Sequence, residues 1–138
     1  MSQTHAPSTT APAVTGRIDE ISDQQIVLEV LGTDYRLHLV PVGRIAGEKG
    51  DRVTGVIRLQ ARRVDVVPSG GRFVEPVFGR PRRLQGRVLG GDLGENTLFL
   101  HCGAPVVAKL SEPQQARDFA VGQMVSFDAL AGASFETA

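Results

Sequence analysis

The sequence predicts an all-β protein built from two small barrels in tandem, with one short helix in the second unit. Three observations carry this prediction. Short apolar runs rich in Val, Ile and Leu recur along the chain. Glycine-containing turns separate them. The whole pattern then repeats once: Gly16 and Gly86 are 70 residues apart, Gly50 and Gly122 are 72 apart. A nearly constant offset is the trace of an internal repeat.

The first unit opens on Thr15-Gly16-Arg17-Ile18 and the second on Gln85-Gly86-Arg87-Val88. Each continues into an apolar run, Ile26–Val30 and Thr97–His101. A second run follows, Tyr35–Val40 and Pro105–Leu110. A glycine turn then leads into another, Gly50–Ile57 and Gly122–Ala129. Alternation marks these as strands. Tyr35, Leu37 and Leu39 share one face while Arg36 and His38 share the other. Val53, Ile57 and Leu59 oppose Arg52, Thr54 and Arg58 in the same way. Gly32-Thr33-Asp34, Gly90-Gly91-Asp92 and Gly94-Glu95-Asn96 supply turn chemistry between them.

The helix is expected in the second unit. Ser111 is a good N-cap, Pro113 suits the first turn, and Gln114 to Phe119 can continue it before Gly122. The first unit has only the shorter Val42–Lys49 there. It also has a fifth strand, Arg62–Val67. The second unit has only the weak Leu130–Phe135, so its missing edge is expected from Arg72–Phe78 or from another chain, since an open edge invites pairing. The order of strands in each unit is that of a small Greek-key barrel of the OB type. The expected organisation is a flexible tail at 1–13, an OB-like unit at 14–67, an Arg-rich connector at 68–82 able to lend an extra strand, and an OB-like unit at 83–138.

Val14–Ile18 and the closing Lys49-Gly50-Asp51-Arg52-Val53-Thr54-Gly55-Val56-Ile57 resemble the molybdate-binding-protein-like domains, the Mop type and the related TOBE modules of transporter ATPases. Gln85–Val88 and Val121–Val125 resemble them more loosely. The resemblance implies paired OB-like barrels and, in some members, oxyanions held between domains. Members that bind molybdate carry a Ser-Ala-Arg-Asn type motif just before the first glycine. Here Pro12-Ala13-Val14-Thr15 and Arg82-Arg83-Leu84-Gln85 stand there instead, so no residue is carried over as a ligand.

Composition narrows the function. The 138 residues hold 15 Lys plus Arg and 15 Asp plus Glu, a formal net charge of zero. Taken whole, that argues against the overall basicity of many nucleic-acid binders. The balance is nevertheless uneven. Residues 1–57 hold five basic groups against seven acidic, a net −2. Residues 58–87 hold eight against two, a net +6. Residues 88–138 hold two against six, a net −4. All eight basic groups of the centre are arginine, the side chain suited to forked contacts with carboxylate or phosphate.

No catalytic, metal or cofactor site is expected. His5 lies in the tail, His38 on a polar strand face and His101 at a strand end. His101 and Cys102 are adjacent, so in a strand they point to opposite faces and do not form a nucleophile–base pair. Zinc needs about four clustered ligands, and no such spacing occurs. Cys102 reads as a small buried hydrophobe. Gly90–Gly94 and Ser69–Gly71 lack the Lys-Ser/Thr and helix of a phosphate loop. A single cysteine precludes an intrachain disulfide. Met1–Val14 has no basic and apolar regions of a secretory signal, and no apolar stretch is long enough to span a membrane. A cytoplasmic protein is expected.

The candidate site is therefore the Arg-rich centre: Arg62, Arg63, Arg72, Arg80, Arg82, Arg83 and Arg87, with Phe73 and Phe78. As a binding or assembly surface it would contact an acidic protein or a second copy of the chain. Basic groups with nearby aromatics also suit single-stranded nucleic acid. A small oxyanion held between the units is a third reading. A plain alternative is internal neutralisation, with these arginines pairing with the acidic units on either side.

Overall fold

Strict alternation of small or branched apolar residues with polar ones decides where this chain extends. The computed structural model describes residues 10–137; of the tail expected at 1–13, residues 1–9 lie outside the described residues. The strands are β1 (Val14–Ile21), β2 (Ile26–Val30), β3 (Arg36–Pro41), β4 (Arg52–Val67), β5 (Phe73–Glu75), β6 (Phe78–Gly79), β7 (Arg83–Asp92), β8 (Thr97–His101), β9 (Pro105–Lys109), β10 (Met124–Ala129) and β11 (Ser134–Thr137). The fold is all-β with a mixed sheet. In β3, Leu37 and Leu39 are buried and Arg36 is exposed, as the alternation predicts. In β4, Val53, Gly55, Ile57, Leu59 and Ala61 point inward while Arg52, Thr54, Arg58 and Gln60 point out.

The pairings make two closed circuits. One runs β1-β2-β3-β11-β4 and returns to β1; the other runs β4-β10-β7-β8-β9 and returns to β4. Most contacts are antiparallel, but β11 is parallel to β3 and β9 is parallel to β4. The sixteen-residue β4 belongs to both circuits. Arg52–Gly55 pairs with β1, Gly55–Arg58 with β11, Arg58–Gln60 with β9, and Ala61–Val67 with β10. β10 and then β11 track β4 backwards, joined by Leu130–Ala133, whose first residue donates its N–H to the Gln60 carbonyl at 2.8 Å.

Three expectations change here. Arg62–Val67 is not a separate closing strand of the first unit. No turn residue interrupts Arg58-Leu59-Gln60-Ala61, so the chain runs straight on as β4 and completes the second circuit. Arg72–Phe78 does lend the second unit a strand, on β7, while the place beside β9 goes to β4. It divides into β5, antiparallel to the start of β7, and β6, parallel to the start of β3. The weak C-terminal run does form a strand, β11, but in the first circuit. Its anchor is Phe135, fully buried between β3 and β4.

The expected helix shrinks to one 3-10 turn, Ala116–Asp118. Long-range contacts take its capping groups. Ser111 Oγ donates to the Ala61 carbonyl at 2.7 Å instead of capping. The Gln114 side chain accepts from Val64 N and donates to Val64 O, each at 2.7 Å, so it binds β4 as another strand would. Ala116 N donates to Asn96 Oδ1. No α-helix occurs among the described residues, and no helix is long and apolar enough to cross a membrane.

Local hydrogen bonds recur between the circuits. Ile18 N donates to Asp51 O and Gly50 N to Ile18 O; in the second circuit Val88 N donates to Gln123 O and Gly122 N to Val88 O. Gly50 and Gly122 sit at φ +94° and +93°, a left-handed conformation that glycine adopts without penalty. The register also shifts at matching places, between Ile18 and Glu20 and between Val88 and Gly90. One buried cluster runs through both circuits, from Ile18, Leu28 and Ile57 to Leu84, Leu100 and Phe127.

The C-terminal strand is therefore expected to hold the first circuit shut. Phe135→Ala should lower unfolding free energy by about 3–5 kcal/mol, the usual range for a buried phenylalanine. A denaturant midpoint measurement checks this. A loss below about 1 kcal/mol would mean that β11 is not a structural strand.

Candidate functional site

Arg62 and Arg63 owe their positions to a bulge in β4. Between Phe127–Val64 and Ala129–Ala61 the pairing advances three residues on β4 and two on β10. The extra residue breaks the alternation, so Arg62 and Arg63 are both exposed between buried Ala61 and buried Val64. β7 lies on the other side of β10, with Arg83 opposite Asp128 and Gln85 opposite Ser126. The Ala129 N–H reaches the Arg82 carbonyl at 2.8 Å. Arg62 and Arg63 on one side and Arg82 and Arg83 on the other therefore flank the end of β10.

Their side chains differ in what they touch. Arg83 lies over β10, donating from Nη1 to Asp128 Oδ1 and from Nη2 to Ser126 Oγ, each at 2.9 Å. Ser126 is buried, so that second bond satisfies a hydroxyl away from water. Arg63 Nε bonds Asp65 Oδ1 at 3.1 Å, and Arg58 Nε lies 3.8 Å from Glu136 Oε1. Arg62 and Arg82 are exposed and make no side-chain hydrogen bond or ion pair to another described residue.

The remaining candidates lie elsewhere. Arg87 Nη1 donates to Gly122 O at 2.8 Å, anchoring the turn before β10. Arg72 Nη1 lies 3.4 Å from Nδ1 of His101, the residue paired with Arg87. Phe73 is half-buried on β5. Phe78 and Arg80 sit beside β3. The Phe78 ring meets His38 edge to face, with centroids 5.4 Å apart and planes at 68°. Arg80, like Arg62 and Arg82, is exposed without a partner among the described residues. The nine candidates thus differ in the strands they sit beside and in what they touch.

The acidic flanks do reach the basic centre. Asp128 and Glu136 belong to the C-terminal third and each meets an arginine. Such exposed pairs contribute about 0–1 kcal/mol each.

His38 carries a feature that the sequence did not mark. It is half-buried on β3, and its Nε2 is buried with no hydrogen-bond partner. Leaving such a group unsatisfied costs about 1–3 kcal/mol. The signal was hidden because β6, which brings Phe78 against His38, lies far from β3 in sequence. Cys102 is fully buried, and desolvation pushes its thiol from 9.0 up to about 12. No group of three His, Cys, Asp or Glu that could hold a metal ion occurs among the described residues.

No family model, curated protein or solved structure matches this chain.

Two measurements separate structural from free groups. Arg83→Ala should cost about 1–2 kcal/mol, because it strips the buried Ser126 hydroxyl of its donor, whereas Arg62→Ala should stay within about 0.5 kcal/mol. Equal losses by chemical denaturation would contradict this assignment. For Cys102, the folded state holds the neutral thiol while the unfolded chain ionises at 9.0. The unfolded chain then binds fewer protons, so stability is intact below about pH 9 and falls as pH rises from 9 towards 12. A thiol reagent should leave native Cys102 unmodified near neutral pH and react on unfolding.

Proposed function

We propose that this chain is a non-catalytic binding module: two OB-like barrels sharing one strand, with the arginines at the end of β10 contacting an acidic protein partner. The strand order supports the barrel reading. In an OB-like barrel three meandering strands are followed by two more that close the ring in Greek-key order. β1-β2-β3 and β7-β8-β9 are such meanders. β11 and the second half of β4 take the closing places, each parallel to the third strand of its ring. In this reading units 14–67 and 83–138 each lend the other its last strand across connector 68–82. The recurrent hydrogen bonds around Ile18 and Val88 support an ancestral repeat.

The observation that carries the binding reading is Arg62 and Arg82. Both are exposed, both lack a partner among the described residues, and they bracket the same strand end. Free guanidinium groups in pairs suit carboxylates, which accept two parallel bonds. A separate partner is favoured over strand exchange between copies, because each circuit closes on β4 within the chain. A protein is favoured over single-stranded nucleic acid because stacking platforms need aromatics beside the cations. Phe73 is half-buried, and Phe78 stands against β3.

Fluorescence anisotropy with labelled poly-glutamate and a single-stranded oligonucleotide tests this. Poly-glutamate should bind with affinity that falls as salt rises. The double variant Arg62→Glu, Arg82→Glu should weaken it at least about tenfold, the loss of one charge-assisted contact, while circular dichroism stays unchanged. Tighter binding of the oligonucleotide, lost in the same variant, would replace this reading with the nucleic-acid one. Binding of neither at low salt would overturn both.

A further inference from the structure

We infer that His38 and Arg80 form a second anion site, a pocket for a single carboxylate group beside β3. It goes beyond the β10 surface and shares no residue with it. Three independent observations meet there. His38 Nε2 is the buried side-chain nitrogen or oxygen left without a partner among the described residues. A cavity of about 130 Å³ is lined by His38, Arg80, Gln24 and Gln25, so an orphaned imidazole, a guanidinium and two amides border one space. Arg80 has no carboxylate or other side-chain partner among the described residues.

The chemistry selects the ligand class. As an N–H, the imidazole Nε2 donates one hydrogen bond; the guanidinium donates one or two and supplies the charge. A carboxylate offers two acceptor oxygens and one negative charge. The cavity of about 130 Å³ has room for a small anion such as a carboxylate. The Phe78 ring meets the imidazole edge to face and is 60% exposed. The walls come from four segments: the turn before β2, strand β3, the β6–β7 link that holds Arg80, and Gly132–Ala133 before β11. A ligand here would tie those segments together.

The test uses the whole chain and reads the imidazole directly. Long-range nitrogen–proton spectra report each histidine ring while sodium acetate is added, with sodium chloride at equal ionic strength and sodium phosphate as separate arms. The His38 signals should move and saturate with acetate while those of His5 and His101 stay in place. Arg80→Gln, an exposed change that leaves the core alone, should weaken the acetate response about tenfold. Arg62→Glu with Arg82→Glu should leave it intact, so failure of the β10 surface and failure of this pocket give different results. An unmoved His38, a response of equal size to chloride or phosphate, or an acetate response unchanged in Arg80→Gln would overturn the proposal.

Discussion

One strand serving two rings is the constraint on which the rest of this structure depends. Between Arg52 and Val67 the backbone of β4 meets four neighbours, β1, β11, β9 and β10. Its inward side chains, from Val53 through Ile57 and Leu59 to Ala61 and Val64, belong to a single buried cluster. The first ring closes on Arg52–Arg58 and the second on Arg58–Val67, two halves of one continuous strand that meet at Arg58. Residues that share contacts in this way do not unfold independently, so their energies couple. The two rings are therefore coupled through β4, although two tandem units are expected from the sequence. The connector reinforces this, because Tyr35 Oη accepts the Val74 N–H at 3.1 Å and ties β5 to the first circuit.

Local features were legible in the sequence because local chemistry makes them. Alternation placed the strands through β3 and the first half of β4. Glycine turns marked Gly50 and Gly122, whose left-handed backbone needs that residue. Strand pairing was not legible, since ladder hydrogen bonds join backbone groups that every residue carries. β11 shows the difficulty: four residues, a weak pattern, and one phenylalanine that does most of the anchoring. The helix was overestimated for a related reason. Ser111 is the expected N-cap and Gln114 begins the expected continuation, but they bond Ala61 and Val64 of β4, fifty residues away in sequence. Such tertiary demands override a local cap.

The arginine-rich centre was legible as composition and not as geometry. Eight arginines stood out by count, yet nothing near them in sequence tells which are already engaged. Arg83 meets Asp128 forty-five residues on. Arg63 meets Asp65 only because both project from the outer face beyond the bulge. The net charge of zero describes the far field, and salt screens that beyond about 8–10 Å. Closer in, an unpartnered guanidinium acts on whatever lies beside it, which is why Arg62, Arg80 and Arg82 matter more than the sum.

The bulge at Arg62–Arg63 links architecture to surface. A regular strand keeps alternate residues inward, so continuing the phase of Ile57, Leu59 and Ala61 would bury Arg63 and turn Val64 outward. The extra residue resets the phase, and Val64 joins the core. The same step leaves two consecutive arginines outside, next to the strand end that Arg82 and Arg83 flank from β7. Deleting one of them would restore regular alternation, with Val64 still inward opposite Phe127 and a single arginine left outside. The bulge that brings Val64 into the core is thus also the feature that concentrates positive charge at the end of β10.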